Sequence, residues 1–324
     1  MIHFALSCLK MGGDIRPLII PSDLTNGTGL FNPSVLVDNN EIFVNVRHCQ
    51  YTLYHSELNK YEHQYGPLVY LNPENDITLT TTNYFCKLDE NLNIKTFTKI
   101  DTSKLDQEPL WEFVGLEDAR LVKWNNKFYI SGVRRDTTTN GQGRMELSEL
   151  RINDNKVEEI FRYRIPAPGN DDSYCEKNWM PIQDNPFHYV KWTNPTEIVK
   201  VDIENNSCTT IFLGNQYNLK NDLRGGSQVI PFKNGYLTLN HETYLYNSEA
   251  GRKDGTYRHR FTYWDKEFKS VKFSKQFSFM NAKVEFACGM AQYKDDILIT
   301  FGFQDNAAYI LRSPVSVIEE MFND

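Results

Sequence analysis

The feature that most restricts this chain is a recurring pattern of apolar stretch, tight polar turn and apolar stretch. It runs as Ser34-Val-Leu-Val-Asp-Asn-Asn-Glu-Ile-Phe-Val-Asn-Val46 and again as Ala119-Arg-Leu-Val-Lys-Trp-Asn-Asn-Lys-Phe-Tyr-Ile-Ser131. It returns around Gln183-Asp-Asn-Pro186, around Phe232-Lys-Asn-Gly235, and around Tyr293-Lys-Asp-Asp296 with Ile297-Leu-Ile-Thr-Phe301 after it. Short β-rich runs broken by Asn, Asp and Gly read as hairpins, because those residues accept the backbone angles of two-residue turns. A second, more polar set of turns alternates with the first: Leu88-Asp-Glu-Asn-Leu92, Ile152-Asn-Asp-Asn-Lys156, Ile203-Glu-Asn-Asn-Ser207 and Trp264-Asp-Lys-Glu-Phe268. Apolar hairpins alternating with polar ones suit a radial array of four-stranded sheets, whose inner strands are buried on both faces while the outer ones meet solvent. Five units in 324 residues give about 65 residues each, a workable blade length once loops are added.

The expected fold is therefore all-β, a five-bladed β-propeller forming one domain over residues 1–324, with a two-sheet sandwich as the alternative. The first interval is long, and its excess at 51–80, with Pro67, Asn72-Pro73 and Asn75, reads as an inserted loop. Ile2 to Leu9 is expected to supply the missing outer strand of the last unit. A helix is expected only at 313–324, where Ser313-Pro314 starts it and Val317, Ile318, Met321 and Phe322 form one apolar stripe.

Composition narrows the partners. Net charge is −7 with Lys and Arg dispersed, which argues against nucleic acid, whose phosphates need clustered cations. No run approaches the length of a membrane span. Six cysteines without a Cys-x-x-Cys pair read as free thiols of a soluble cytoplasmic protein. His241-Glu242 lacks the second histidine of a zinc-protease motif, Leu245 standing in its place, and no metal or organic cofactor is expected.

Each apolar hairpin follows a polar cluster: Phe31-Asn-Pro33, Gly115-Leu-Glu-Asp-Ala-Arg120, Glu176-Lys-Asn-Trp-Met-Pro181, Arg224-Gly-Gly-Ser-Gln228 and Glu285-Phe-Ala-Cys-Gly289. In a propeller these clusters start the innermost strands and converge on one mouth of the channel, as a ligand site would. Among them Asn178 and Glu285 are candidate ligand contacts. Arg134, Lys177, His241, Tyr257 and His259 lie near the clusters, part of an excess of cationic and hydrogen-bonding groups that suits a phosphate, and are candidate phosphate ligands.

The clusters, in order, together with Tyr236-Leu-Thr-Leu-Asn-His241, Cys288-Gly289 and Phe301-Gly-Phe-Gln-Asp305, resemble the motifs of the β-mannoside phosphorylases and mannosidases of glycoside hydrolase family 130. Asn32-Pro33 and Arg47 match that family's first blade, whereas Ala119 replaces its usual proline. The resemblance implies a five-bladed propeller acting on an oligosaccharide or sugar phosphate. Asp118 then corresponds to the general acid, Glu117 and Arg120 to its flanking motif, and Asn32, Arg47 and Asp305 to residues around the sugar.

The activity so implied is inverting glycosyl transfer, with mannosyl as the candidate unit, either between a glycan and phosphate or from a sugar phosphate to an acceptor. An inverting hydrolase, with Glu117, Glu242 or Glu285 as base, and a non-catalytic glycan-binding propeller remain as alternatives. An acid of this kind is expected to have a raised pKa, and strand alternation to turn Glu117 away from Asp118.

Overall fold

The computed structural model describes residues 2–50, 60–62, 68–70, 78–154, 156–170, 173–247 and 253–323. Most of its strands group into five consecutive antiparallel units, the first two joined into one sheet by the parallel pairing of Val157 and Glu158 with Ile100 and Asp101. Unit one comprises Leu30–Asp38, Glu41–Cys49, Leu79–Leu88 and Ile94–Asp101. Unit two comprises Glu117–Trp124, Lys127–Arg134, Arg144–Asn153 and Lys156–Arg164. In unit three Met180–Pro181 is followed by His188–Thr193, Thr196–Asp202 and Ser207–Leu213. In unit four Leu223–Arg224 and Ile230–Phe232 both pair with Gly235–Asn247, which continues into Lys253–Asp265 and Val271–Phe273. Unit five comprises Glu285–Tyr293, Asp296–Phe303 and Ala307–Pro314, with Asp14–Pro17 on its outer edge.

The hairpins fall where the turn chemistry places them. Asn39 and Asn40 sit at φ 49° and 62°, and Asn125 and Asn126 at 50° and 60°, the double left-handed turn that matches strand twist and that asparagine tolerates. Apolar clusters then fill the wedges between neighbouring units. Leu36, Phe43, Leu121 and Ile130 join units one and two; Trp124, Leu147, Trp179 and Tyr189 join two and three. Met180, Val190, Val229 and Trp264 join three and four, Leu239, Phe261, Phe279 and Phe301 join four and five, and Val35, Val44, Leu298 and Ile310 join five to one. The packing thus closes on itself.

At the centre lies the Gln228 side chain, 2% exposed. Its Nε2 donates to Ser34 Oγ, Val35 O and Leu121 O at 3.0, 2.9 and 2.7 Å, and its Oε1 accepts from Met290 N at 3.0 Å. One amide therefore joins the first strands of units one, two and five to unit four.

The chain's start differs from the sequence expectation. Phe4–Lys10 is a helix, and Asp14–Pro17, not Ile2 to Leu9, is the outer strand of unit five. The burial pattern gives the reason: Phe4, Ala5 and Cys8 are buried while Leu6 is 51% exposed, a helical stripe rather than the two-residue alternation of a strand. Ile2–His3 pairs parallel with Phe277–Ser278. A further short helix, Ser22–Thr25, was also not expected. The C-terminal helix is Val315–Glu320; Pro314 ends the preceding strand and occupies the helix N-cap, and Ser313 lies within that strand, donating from its hydroxyl to Pro314 O. Its Val317, Ile318 and Met321 are buried against the same cluster as Phe4. Of the 51–80 segment, 51–59, 63–67 and 71–77 lie outside the described residues; Lys60–Glu62 pairs with Leu68–Tyr70, and the strand from Leu79 already belongs to unit one. All six cysteines are free.

Replacing Gln228 by alanine removes the side-chain partner of three buried backbone groups, Val35 O, Leu121 O and Met290 N, each worth about 1–3 kcal/mol when left unpaired, while the Ser34 hydroxyl keeps Leu121 N. Urea unfolding of Gln228→Ala is expected to lose about 3–5 kcal/mol; a loss under about 1 kcal/mol would show that the amide is not a central tie.

Candidate active site

The first strands of three units start with an irregularity. Their pairing register slips between Phe31 and Ser34, between Glu117 and Arg120, and between Ala287 and Gly289. Asn32, Asp118, Asn178 and Asp305 all adopt left-handed backbone angles, with φ of 47°, 49°, 61° and 48°. Such conformations cost energy in residues other than glycine and cluster where side chains must be aimed.

The bulge at Asp118 explains a departure from the sequence reading. In a regular strand Glu117 and Asp118 would face opposite ways, but here both approach one guanidinium: Arg47 Nη1 lies 2.8 Å from Asp118 Oδ1, and Nη2 lies 3.5 Å from Glu117 Oε2. Arg47 is steadied by Thr81, whose hydroxyl accepts from Nε and Nη2 at 3.2 and 3.1 Å, and by the face of Phe31. Asn32 Nδ2 also donates to Asp118 Oδ1, at 2.8 Å. Both anchors thus hold one carboxylate oxygen.

Arg120 is fully buried. Its Nη1 donates to Asp118 O at 2.7 Å, its Nε to Gly226 O at 2.8 Å, and Nη2 lies 3.5 Å from Asn178 Oδ1. It braces the backbone at Asp118 and Gly226 and reaches the Asn178 side chain under the site rather than hydrogen-bonding to the Asp118 carboxylate.

Electrostatics separate the two aspartates. Burial acts to raise the Asp118 carboxyl, but the charges of Arg47 and Arg120 and the Asn32 hydrogen bond outweigh it, and the group is held below the usual carboxylate range. A raised value had been expected; the ion pair with Arg47 reverses it. Asp305 moves the other way: burial and the nearby charges of Asp118 and Glu117 exceed the pull of Arg47 and push it up to about 6. Glu117 Oε1 is buried without a hydrogen-bond partner.

Several sequence candidates are placed elsewhere or are already engaged. Arg134 is buried in ion pairs with Glu146 and Asp136 at 2.7 and 3.3 Å. His259 is fully buried against Phe277 and Phe279, and desolvation drops its pKa to about 3; it is a neutral core residue, not a cation at the mouth. Glu285 is spent on the backbone N–H groups of Phe279, Met280 and Ala282, so it turns a loop rather than facing a sugar. Glu242 is ion-paired with Arg260 and accepts from Asn221, Tyr244 and Gln276.

His241 stacks on Tyr257 and meets the edge of Phe286, and its pKa is lowered by burial and then by His259, Arg224 and Lys177. Its Nδ1 is buried without a partner. Lys177 is exposed, and Arg224 lies directly opposite His241 across the strand pair. Thr81 is a site group that the sequence does not mark, and Arg224 is marked only as part of a polar cluster. Thr81 sits in a plain threonine run, and Arg224 becomes informative only when paired with His241. Among the described residues no three His, Cys, Asp or Glu side chains gather as metal ligands, and no helix is long and apolar enough to cross a membrane.

No protein-family model and no curated protein matches this sequence. Solved structures do. A β-1,2-mannobiose phosphorylase from Listeria innocua superposes with a TM-score of 0.53 at 15% identity, covering 91% of this chain and 92% of its own. A glycosyl hydrolase from Bacteroides ovatus gives 0.58 at 12%, covering 89% and 85%. A mannose phosphorylase from Leishmania mexicana, solved with a phosphate ion, gives 0.52 at 11%, covering 98% and 94%. The chain thus has the fold seen in glycoside hydrolase family 130.

The raised Asp305 has a thermodynamic signature. Its ordinary value is 3.8, so between about pH 4 and 6 the folded state holds a proton that the unfolded chain has released, and stability falls as pH rises through that window. The wild-type stability profile minus that of Asp305→Asn is expected to slope downward there. A flat difference would mean that Asp305 titrates normally.

Proposed function

We propose that this protein is a carbohydrate-active enzyme, its five units the blades of a five-bladed β-propeller, that transfers a glycosyl unit of a β-mannoside to phosphate with inversion. The observation that carries the reading is the cluster in which Asp118, fixed by Arg47 and Asn32 at a strand start, is held below the usual carboxylate range while Asp305, in the turn after Phe303, is pushed up to about 6, since opposed shifts in one site mark acid–base chemistry. The mannoside and the phosphate come from what the fold neighbours are named for.

In this reading Asp118, anchored through Oδ1, presents Oδ2 to the glycosidic oxygen, and Asp305 is the group that holds the proton at and below about pH 6. The pair acts as one acid: the proton passes to the leaving oxygen, the C1–O bond breaks, and a phosphate oxygen bonds to C1 from the opposite face. Arg47 keeps the remaining carboxylate charge compensated. Lys177, Arg224, Tyr257 and neutral His241 are the groups left to position phosphate, because Arg134 and His259 are engaged elsewhere.

Hydrolysis is the second reading, favoured by one observation. Of the three glutamates that could activate water, Glu117 alone keeps a carboxylate oxygen without a hydrogen bond, whereas Glu242 and Glu285 are fully engaged.

Incubation with β-1,2-mannobiose, with and without inorganic phosphate, separates the outcomes: mannose 1-phosphate supports transfer to phosphate, mannose alone supports hydrolysis, and binding without product leaves a glycan-binding module. Asp118→Asn is expected to lower turnover by about 100- to 10,000-fold while the melting temperature holds. In Asp305→Asn the pH–rate profile should lose its step near pH 6; an unchanged step would remove Asp305 from the acid pair.

A further inference from the structure

Asp305 and Asp118 are held in different ways. Asp118 is fixed by Arg47 and Asn32 through one carboxylate oxygen. Asp305 is half-buried, and among the described residues no hydrogen bond or ion pair reaches its carboxyl. A carboxyl without such anchors is aimed by its backbone, so what fixes the backbone here fixes the group.

That backbone is the three-residue turn Gln304-Asp305-Asn306, between the paired residues Phe303 and Ala307 of unit five. Gln304 and Asp305 are both left-handed, at φ 56° and 48°, a conformation that costs energy in residues other than glycine and needs a restraint. Gln304 supplies one. Glu285 pairs with Phe303, which places Val284 next to Gln304 as the strands end. Gln304 N donates to Val284 O at 2.8 Å, as a ladder residue does. The return bond uses the side chain: Val284 N donates to Gln304 Oε1 at 3.1 Å. One residue therefore takes both polar groups of Val284 at the point where the chain leaves the strand. Val284 is itself a firm point, because the neighbouring Glu285 carboxylate accepts from Phe279, Met280 and Ala282 N at 2.7, 2.8 and 2.9 Å and knots the loop that leads to it.

We propose that Gln304 is a positioning residue for Asp305: by clasping Val284 with its main chain and its side chain, it holds the turn in the arrangement that keeps the Asp305 carboxyl beside Asp118 and Glu117. The proposal rests on the reading of Asp305 as the proton-holding partner of Asp118; the clasp itself does not. Burial raises the Asp305 pKa, Arg47 lowers it, and Asp118 and Glu117 raise it further. Those three charged groups belong to units one and two, so a turn that drifts moves Asp305 relative to all of them at once.

The test uses Gln304→Asn in the full chain. Asparagine tolerates left-handed angles well, so the turn keeps its local preference, but its amide is one methylene too short for Val284 N. Two measurements follow the Asp305 proton: the step in the pH–rate profile with β-1,2-mannobiose and phosphate, and the stability difference between each protein and its Asp305→Asn counterpart as pH is varied. Both midpoints are expected to fall by about one pH unit or more, toward the ordinary 3.8, and turnover by about tenfold, while the melting temperature holds. Gln304→Met, which keeps the length and loses the acceptor, is expected to behave in the same way, and Gln304→Glu, which returns an acceptor to Val284 N, to bring the midpoints back to wild type or above. Unshifted midpoints in Gln304→Asn and Gln304→Met, or a fall in Gln304→Glu as large as in Gln304→Asn, overturn the proposal. Failure of the catalytic reading looks different: no product forms from mannobiose at any pH, or the pH–rate step survives Asp305→Asn, while the stability midpoint still moves in Gln304→Asn.

Discussion

Everything in this molecule depends on a buried amide at its centre. Strands that start at different points of a closed ring present unpaired N–H and C=O groups to the axis, where no sheet neighbour can satisfy them. Gln228 meets three such groups and the Ser34 hydroxyl, belonging to three units. Ser34 extends the tie by accepting from Leu121 N at 2.7 Å. Glutamine suits the task because it combines two donors and one acceptor on a neutral side chain, so burial carries no charge penalty.

The site stands directly on this hub. Arg120, bound to Gly226 O two residues before Gln228, holds the backbone of Asp118, and the bulge beside it brings two carboxylates onto Arg47. The result is an asymmetric pair: Asp118 is compensated by cations, whereas Asp305 faces the negative charge of Asp118 and Glu117. A single guanidinium shared among three carboxylates cannot stabilise them all equally, and the one outside its direct contact keeps its proton longest.

The fold was legible because its period is local. Alternating apolar runs and Asn-rich turns are written within ten or fifteen residues, and the nine turns singled out from sequence each join paired strands. The site was half legible. Asn32, Arg47, Glu117, Asp118, Arg120 and Asn178 do come together, but their electrostatics depend on contacts across 71 and 86 residues, which no spacing rule shows. The cation count misled for a related reason. Arg134 looks free in sequence, yet Asp136 and Glu146 neutralise it, and His259, polar by type, packs among phenylalanines. Residue type gives what a side chain can do, and burial decides whether it does it. Ile2 to Leu9 was misread because a run of seven residues supports either period, and only docking on the cluster around Phe4 selects the helix.

The last unit takes its outer strand, Asp14–Pro17, from the beginning of the chain and its other three from the end. During synthesis this strand emerges early, while its partner Ala307–Pro314 emerges roughly 15 to 60 s later at ribosomal rates of about 5–20 residues per second. Until then the ring is open, its fifth wedge unfilled and a long apolar strand edge unprotected. This pairing joins segments far apart in the sequence and so is slow to form, and the interval before it is when aggregation competes with folding.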